Sequence, residues 1–513
     1  MKTQPSQQKK FVQDVFYLTL GTNYTNFMAA LRGLIIRGFI GPTLAGLLSL
    51  LNTIYFFMSF VYRPFQGGVA REIPYYKGKR DFETVTRLQQ GSFSIIFFLS
   101  LILNLGLFIA SFFIQEHETG ILRWSLRIWA PISFAKSICA YLVVFFRTEK
   151  RFFRVFKYHV FNATLITVFG IIFTYFYSFQ GLLLTTLVVQ LTSTVYFLKI
   201  GEFPFKPAIR REMKRVVRQF VVRGSPMVMN AIIFMCFRQI DRVVVISMLG
   251  LKQMGFYSIG IMMSNMLFMI PSSIWQVVAP GFLERGAQCK SDATPLKPEV
   301  FHNTRTVAGI IPPIFSMAAF ALPFLILYAL PNFTPGIVPS QIIIFGTFFI
   351  GIYSMFAKLY IITDRMRYII LISFIILLAA VVMNIWALAL QAGITGIAIA
   401  TFVAFFLYAV TVIFHGGVSL LRCSLWEIVK ICGWILIPFT YTMAAFLVAN
   451  QYLAPHRDAF LNDALRFAAG IAIIAASFIP FWIYTNKKTR LLTTFLYDMW
   501  EKVVKLYRLL LRR

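Results

Sequence analysis

The chain has 513 residues, of which 58% are hydrophobic, 17% aromatic and 13% charged. A soluble domain carries about a quarter charged residues, so this composition excludes an ordinary soluble protein and indicates an integral membrane protein. The net charge is +30, but the bases cluster between apolar runs, which is typical of topology signals and not of a nucleic-acid-binding surface.

Apolar runs along the chain predict about fourteen transmembrane helices, because a spanning helix needs roughly 20 mainly apolar residues. Several joins between the runs, such as GITG and SFQG, are tight glycine-containing turns. The first run lacks the cleavage pattern of a signal peptide, so we predict a retained helix. The predicted spans are 11–39, 43–69, 91–114, 121–146, 153–177, 181–200, 220–247, 254–282, 305–330, 336–362, 367–390, 393–420, 425–450 and 462–485.

Basic residues occur in every second loop, and this alternation predicts the topology, because short loops rich in Lys and Arg mark the cytoplasmic side. The intervening loops, for example IGPTLAG and QEHETG, carry few bases. We therefore predict an all-α, multi-pass membrane protein with both termini in the cytoplasm. The basic loops are KGKR (77–80), RTEKRFFRVFK (147–157), KPAIRREMKRVVR (206–218), TDRMR (363–367) and KKTR (487–490).

The carboxyl-terminal stretch 487–513 has apolar residues at helical spacing, interleaved with lysines and arginines. We predict a cytoplasmic amphipathic helix that lies along the membrane, held by apolar burial and by anionic lipids. A helix that binds a partner protein is the alternative that this pattern leaves open.

An internal repeat relates the two halves of the chain. At the offset of 209 residues that separates Gly41 from Gly250, IGPTLAGLLSL aligns with LGLKQMGFYSI, and Gly46 meets Gly255. Similar glycine turns join many unrelated membrane helices, so the position of the match carries the argument. The offset places helix one on helix seven, and the six spans in one repeat predict parallel repeats, as in transporters that work by alternating access.

The repeat predicts the domain organisation. Two pseudo-symmetric lobes of six helices each occupy 1–200 and 223–423, and a basic cytoplasmic linker at 201–222 joins them. Two extra helices follow at 424–486, and the amphipathic tail occupies 487–513.

Charged residues inside the predicted spans are candidate functional residues, because a charge near mid-bilayer costs roughly 2.5–3.5 kcal/mol on insertion scales. Eight of the nine candidates named below are basic. An unpaired buried charge is unfavourable, so charges that only join helices together would include acids and bases in similar numbers. The excess of bases instead predicts an anionic ligand or water beside them. The candidates are Arg32, Arg37, Arg63, Arg127, Lys136, Arg238, Asp241, Arg242 and Lys358.

One group of these candidates lies on a single helix and combines an acid with two bases. Arg238, Asp241 and Arg242 have i, i+3 and i+4 spacing, so Asp241 can partly neutralise either arginine. Structural packing at the lobe interface and contact with a ligand are both open for this group.

The other candidates differ in depth. Arg37 and Arg127 lie near helix ends, where their side chains can reach the headgroups, and this simpler interpretation is favoured for both. Arg63, Lys136 and Lys358 lie deeper and have no acidic neighbour within one helical turn. We therefore predict that these three face a ligand.

Several chemistries have no support in the sequence. It contains no P-loop motif, its histidines have no second histidine or carboxylate at ligand spacing, and its cysteines form no metal or disulfide pattern. The spans contain almost no acids, and no soluble segment is long enough for a catalytic domain. We predict a transporter, without catalytic residues, metal or cofactor, and not an enzyme.

Three stretches resemble the Wzx-type polysaccharide flippases of the bacterial MOP superfamily. They are RGLIIRGFIGPTLAGLLSLLNTIYFFMSF in the first helix pair, GVAREIPYYKGKRD in the first basic loop, and RQIDRVVVISMLGLKQMGFYSIGIMMSNMLFMIPSSIWQVVAPGFLERG in helices seven and eight. The pattern from Ile240 to Tyr257 is the most specific part. The likeness extends over roughly residues 10–420 in helix order and loop placement.

The resemblance implies a MOP/MATE-like fold and a flippase of the bacterial inner membrane. Its cargo would be an undecaprenyl-diphosphate-linked oligosaccharide, moved by alternating access from the inner to the outer leaflet for O-antigen, exopolysaccharide or capsule assembly. It also implies a cationic cavity between the lobes, with Asp241 orienting its neighbouring arginines. By position, the implied cavity bases are Arg32, Arg63, Lys136, Arg238, Arg242 and Lys358.

The expected partners are the lipid-linked glycan and membrane lipids, with a polysaccharide polymerase and glycosyltransferases as protein partners and no nucleic acid. Three alternatives stay open. A lipid II flippase would need a similar basic cavity, whereas a MATE-like cation-coupled antiporter would use acidic residues in its helices. A non-transporting scaffold of a polysaccharide synthase would tolerate glutamine at Arg63, Lys136 and Lys358.

Overall fold

The computed structural model describes residues 5–114, 120–201, 228–288, 292–455 and 460–489. Within these ranges the chain is almost entirely helical. The predicted linker at 201–222 lies outside them from residue 202 onward, and the predicted tail helix lies outside them from residue 490 onward.

Eleven helical segments in the described ranges are long and apolar enough to cross a membrane. A π-helical turn, Val245–Leu249, connects α6 to α7, and 3-10 turns at Thr294–Leu296 and Pro331–Gly336 precede α8 and α9. The helices are α1 (Pro5–Gly78), α2 (Phe82–Phe113), α3 (Ile121–Thr148), α4 (Phe152–Gly201), α5 (Val228–Phe237), α6 (Ile240–Val244), α7 (Gly250–Gln288), α8 (Lys297–Ala329), α9 (Ile337–Ile362), α10 (Met366–Ala389), α11 (Gly393–Ser419), α12 (Leu425–Leu453) and α13 (Phe460–Thr489).

Both α1 and α4 consist of two membrane-crossing helices joined by a tight break. In α1 the break is at Gly41, with φ 72° and ψ 178°, immediately before Pro42. In α4 it is at Ser178, with φ 51°, and a side chain on the nearby Gly181 would overlap the carbonyl of Phe173. With these breaks, and with α5 and α6 taken as one crossing, the described helices are compatible with the fourteen predicted spans.

The repeat is visible in the backbone. Gly250, which aligns with Gly41, has φ 84° and ψ 177° and so adopts almost the same conformation. Side chains other than glycine are strained at such positive φ values. The same residue type therefore serves the same turn in both halves of the sequence.

The outer faces of the helices carry large apolar side chains. In α10, for example, Leu378, Val382 and Trp386 are each more than half exposed, whereas Ile369, Ile376 and other residues of the opposite face are buried. A hydrocarbon environment would cover this exposed stripe. The fold is that of an all-α polytopic membrane protein, as the composition and the apolar runs predict.

The chain divides into two compact units, Met1–Ser258 and Ile259–Arg513. In the first unit, α1, α2, α3 and α4 enclose an apolar core that includes Tyr62, Tyr141 and Phe146. Eight of the eighteen buried residues of this core are aromatic, and each ring buries a large apolar area.

The second unit has its own aromatic core. Phe345, Phe348 and Phe349 of α9 pack against Phe439 of α12 with ring centroids 4.9–6.1 Å apart. In the same unit, the buried indole of Trp275 donates a hydrogen bond of 2.8 Å to the Gly351 carbonyl.

The loop between α1 and α2 ends in a helix cap outside the membrane-crossing segments. The side chain of Asp81 accepts a hydrogen bond of 3.0 Å from the Thr84 backbone amide. This cap satisfies an amide that would otherwise lack a partner in the first turn of α2. Hydrogen bonds from Thr84 hold the pKa of the Asp81 carboxyl below its ordinary value.

Candidate functional site

Three of the predicted bases, from α1 and α3 of the first unit, form a group in which two lie beside the phenol of Tyr55 and the third is close to one of those two. The ammonium of Lys136 lies 4.2 Å from the centroid of the Trp129 ring and 5.4 Å from that of Tyr55. Arg63 interacts electrostatically with the same Tyr55 side chain. Arg32 is close enough to Lys136 for the two like charges to repel each other. We call Arg32, Arg63 and Lys136 the basic cluster.

Among the described residues, the Arg63 guanidinium contacts a sulfur atom and an aromatic ring. It lies 5.1 Å from the centroid of the Phe56 ring, and its Nη1 donates to the sulfur of Met235 over 3.0 Å. A thioether sulfur is a weak acceptor, whereas a guanidinium has five donors in a fork that matches phosphate and carboxylate geometry. Most of the hydrogen-bonding capacity of Arg63 is therefore left for an oxygen ligand.

Hydrogen bonds fix the aromatic side of the basic cluster. The Ser137 hydroxyl donates to the Tyr62 hydroxyl over 2.8 Å and to the Ser133 carbonyl over 2.8 Å, and the Tyr62 phenol interacts in turn with that of Tyr55. Cation–π contacts between Lys136 and the rings of Tyr55 and Trp129 offset part of the cost of keeping an ammonium in an apolar setting.

The basic cluster has no counter-charge within the part of the chain that the structure describes. No carboxylate there lies within 4 Å of the charged atoms of Arg32, Arg63 or Lys136, although other bases, such as Lys77 with Glu149, do form ion pairs. Three like charges without a partner in a low-dielectric region are unfavourable. An anion bound among them would remove that cost.

The second group of candidates is arranged differently. Asp241 is buried, and its carboxylate accepts hydrogen bonds of 2.8 Å from the Tyr257 hydroxyl and from the backbone amide of Arg242. The side-chain Nε of Arg242 is buried without a hydrogen-bond partner among the described residues. Arg238 and Arg242 both interact electrostatically with the Asp241 carboxylate. Asp241 thus links the α6 turn to α7 through Tyr257.

The two candidates near helix ends have contacts of their own. Arg37 donates to the Gly33 carbonyl over 2.9 Å and to the Ser258 hydroxyl over 3.2 Å. The guanidinium of Arg127 lies 4.1 Å from the centroid of the Phe112 ring. In both arginines, protein groups therefore already contact part of the guanidinium.

Lys358 belongs to the second unit and lies half-buried in α9, with no hydrogen-bond or ion-pair partner among the described residues. The structure also assigns neighbours that the sequence did not identify, namely Trp129, Tyr62 and Tyr257. Trp129 precedes Lys136 by two helical turns on the same face of α3, so helical periodicity carried a signal for that contact.

A protein-family model described as "Polysaccharide biosynthesis protein" matches residues 55–332, which is more than half of the chain. No curated protein matches the chain in sequence. Solved structures do match its fold, all at low sequence identity.

A structure described as lipid II flippase MurJ in an inward closed conformation has a TM-score of 0.67 and 18% identity, covering 92% of this chain and 99% of that chain. An inward-facing multidrug resistance MATE family transporter of the MOP superfamily has a TM-score of 0.59 and 14% identity, with coverages of 79% and 95%. A MOP superfamily transporter from Pyrococcus furiosus has a TM-score of 0.55 and 14% identity, with coverages of 82% and 96%. The fold is therefore MurJ/MATE-like, and this prediction from the sequence is confirmed.

Proposed function

The chain belongs to the polysaccharide biosynthesis protein family, and from that premise we propose that it is a flippase for an undecaprenyl-diphosphate-linked oligosaccharide. The proposed direction is from the inner to the outer leaflet of the bacterial inner membrane, with both termini in the cytoplasm. The MurJ/MATE-like fold supports a transporter over an enzyme.

The observation that carries this proposal is the basic cluster, for which the described residues supply no counter-charge. Arg32, Arg63 and Lys136 lie within membrane-crossing segments, where an unpaired base is costly. A lipid diphosphate is an anion that must cross the same hydrocarbon. Binding it here would neutralise the bases and the cargo together.

The side chains of the cluster suit a diphosphate in complementary ways. The Arg63 fork can bind two phosphate oxygens at once, and Lys136 adds a compact positive charge. The rings of Tyr55 and Trp129 surround the ammonium and limit its access to water. In this proposal the polyprenyl tail stays in lipid, and Arg238, Arg242 and Lys358 are additional candidate contacts.

The test is leaflet accessibility of a diphosphate-linked oligosaccharide in proteoliposomes, read with a membrane-impermeant glycosidase. The native chain is compared with Lys136→Gln and Arg63→Gln at matched incorporation. We expect each substitution to lower the flipping rate by at least tenfold, because a charged hydrogen bond to phosphate is worth about 1.5–3 kcal/mol.

The matched control is Arg123→Gln. Arg123 lies on the same helix as Lys136, but its Nε already donates to the Ile114 carbonyl over 2.9 Å. The Arg123→Gln variant should therefore flip the glycan at the native rate. If the two single variants, Lys136→Gln and Arg63→Gln, both flipped the glycan at the native rate, this would contradict the proposal and favour the scaffold alternative.

Lipid II is the second candidate cargo, because the structure described as lipid II flippase MurJ matches almost the whole chain at a TM-score of 0.67. Both cargoes carry a polyprenyl diphosphate and differ in the sugar part. The same proteoliposomes loaded with lipid II in place of the oligosaccharide lipid separate the two. Selective transport of lipid II would replace the first cargo with the second.

A further inference from the structure

A second set of bases and aromatic rings lies between α8 and α12 in the second unit. The guanidinium of Arg305 is 5.1 Å from the centroid of the Trp434 ring, and the ammonium of Lys430 is 5.3 Å from that of Trp426. Residues 426, 430 and 434 recur every four positions, so they share one face of α12. We call Arg305, Lys430, Trp426 and Trp434 the α8–α12 seam.

Arg305 is incompletely satisfied by the protein. Its Nε is buried and has no hydrogen-bond partner among the described residues. The ring of Trp434 covers one face of the guanidinium but accepts no strong hydrogen bond from its N–H groups. Arg305 is half-buried, and its two Nη groups make no hydrogen bond among the described residues, so these groups can donate to an oxygen ligand.

The nearby carboxylate of Glu427 is already engaged. It pairs with Lys297 over 2.6 Å and also closes a capping box with Ser424 at the start of α12. This ion pair ties the first turns of α8 and α12 together, and neither Arg305 nor Lys430 forms an ion pair with a carboxylate in the part of the chain that the structure describes. The seam is therefore a positively charged site.

The depth of the seam matches the headgroup region. No charged residue follows Arg305 in α8 from 306 to 329, or Lys430 in α12 from 431 to 453. At 1.5 Å per residue these stretches are roughly 35 Å long, enough to cross the hydrocarbon core of about 30 Å. Arg305 and Lys430 are thus the last charges before the hydrocarbon, at the level where Trp side chains also concentrate.

We propose that the α8–α12 seam binds the phosphate of an anionic phospholipid. Arg305 and Lys430 donate to the phosphate oxygens, and the two indoles line the glycerol region of the lipid. The predicted topology places this end of both helices at the cytoplasmic leaflet, whose anionic lipids attract basic groups. This inference uses none of the residues of the basic cluster and does not depend on the cargo.

The experiment is native mass spectrometry of the purified full chain titrated with phosphatidylglycerol, and separately with phosphatidylcholine of the same acyl chains. We expect phosphatidylglycerol to bind more tightly to the native protein. Arg305→Gln should weaken its apparent affinity about tenfold, Lys430→Gln should weaken it less, and Arg305→Lys should retain part of it. Gel filtration of each variant checks that it is folded.

The matched control is Arg365→Gln, in the same unit and on the same predicted side of the membrane. Its guanidinium donates to the Ser419 carbonyl over 3.3 Å, so its removal should leave lipid binding unchanged. Equal affinity for the two lipids, or unchanged affinity in Arg305→Gln and Lys430→Gln, overturns the proposal. Displacement of the lipid by millimolar inorganic phosphate alone would overturn it in favour of a free-anion site.

Discussion

Gly46 and Gly255 make two equivalent close contacts, each with a backbone carbonyl of the other's helix. A Cβ on Gly46 would overlap the carbonyl oxygen of Leu251, and a Cβ on Gly255 would overlap that of Pro42. The 209-residue offset that relates Gly46 to Gly255 also relates Pro42 to Leu251. The two contacts are therefore copies of one contact, exchanged by the repeat, and each requires glycine because backbone meets backbone.

Alanine at either contact glycine should destabilise the protein. We expect Gly46→Ala and Gly255→Ala each to cost about 1–3 kcal/mol, because the carbonyl in the path of the new methyl group is backbone and cannot rotate away. Thermal unfolding in detergent measures this. The matched control is Gly67→Ala in the same helix as Gly46, where a Cβ meets nothing within 4 Å. It should be neutral or stabilising by up to about 1 kcal/mol, and an equal loss in all three variants would contradict the contact.

Lys136→Gln should impair transport without impairing stability. The substitution removes the repulsion between Lys136 and Arg32 and the cost of an ammonium without a counter-charge, so we expect an unchanged or higher unfolding temperature. Lys297→Gln is the opposite case, because it leaves Glu427 without its partner and should lower the unfolding temperature slightly. A fall of several degrees in Lys136→Gln would identify the lysine as a structural residue.

The bond between Asp241 and Tyr257 should contribute measurably to stability. Tyr257→Phe removes the hydroxyl that donates to a buried carboxylate oxygen of Asp241, which costs about 1–3 kcal/mol. In the double variant with Asp241→Ala the total loss should be smaller than the sum of the single losses, because each of the two substitutions removes the same hydrogen bond. A double-mutant cycle from thermal unfolding tests this, and additive losses would show that the two side chains act independently.

The Asp81 cap should contribute to the stability of the folded protein, and this contribution should be lost in acid. Because the folded state lowers the pKa of Asp81 below its ordinary 3.8, the contribution is fully present above about pH 4 and is lost as the pH falls through the lowered value. The difference in unfolding temperature between the native chain and Asp81→Ala should therefore shrink below pH 4. Thermal scans from pH 3 to pH 7 measure it. A difference that is constant over this range would exclude the charged cap.

The helix breaks were predictable because their chemistry is local. Glycine followed by proline at Gly41 and Pro42 stops a helix whatever surrounds it, and the break lies between the predicted spans that end at 39 and begin at 43. The break at Ser178 likewise lies in the predicted join between 177 and 181. Such signals need no knowledge of the tertiary structure.

The neighbours of the charges were less accessible to sequence reasoning. Depth alone identified Arg63 and Lys136 as candidates, but which ring lies beside each base depends on how the helices are rotated against one another. Similarly, the i+3 and i+4 spacing predicted that Asp241 interacts with Arg238 and Arg242, the arginines nearest to it in sequence. Its phenol partner, Tyr257, lies 16 positions later, beyond the turn at Gly250.

The π-helical turn at Val245–Leu249 sets the rotational phase of the helix that contains Asp241. A π turn holds one more residue than an α turn, which offsets the residues before it by about 100° from those after it. If the π turn were a regular α turn, the α6 residues, Asp241 among them, would be rotated by about a quarter turn relative to the break at Gly250 and to Tyr257 beyond it. The contact between these two buried side chains across the Gly250 break therefore depends on the irregular turn at the end of the helix that carries Asp241.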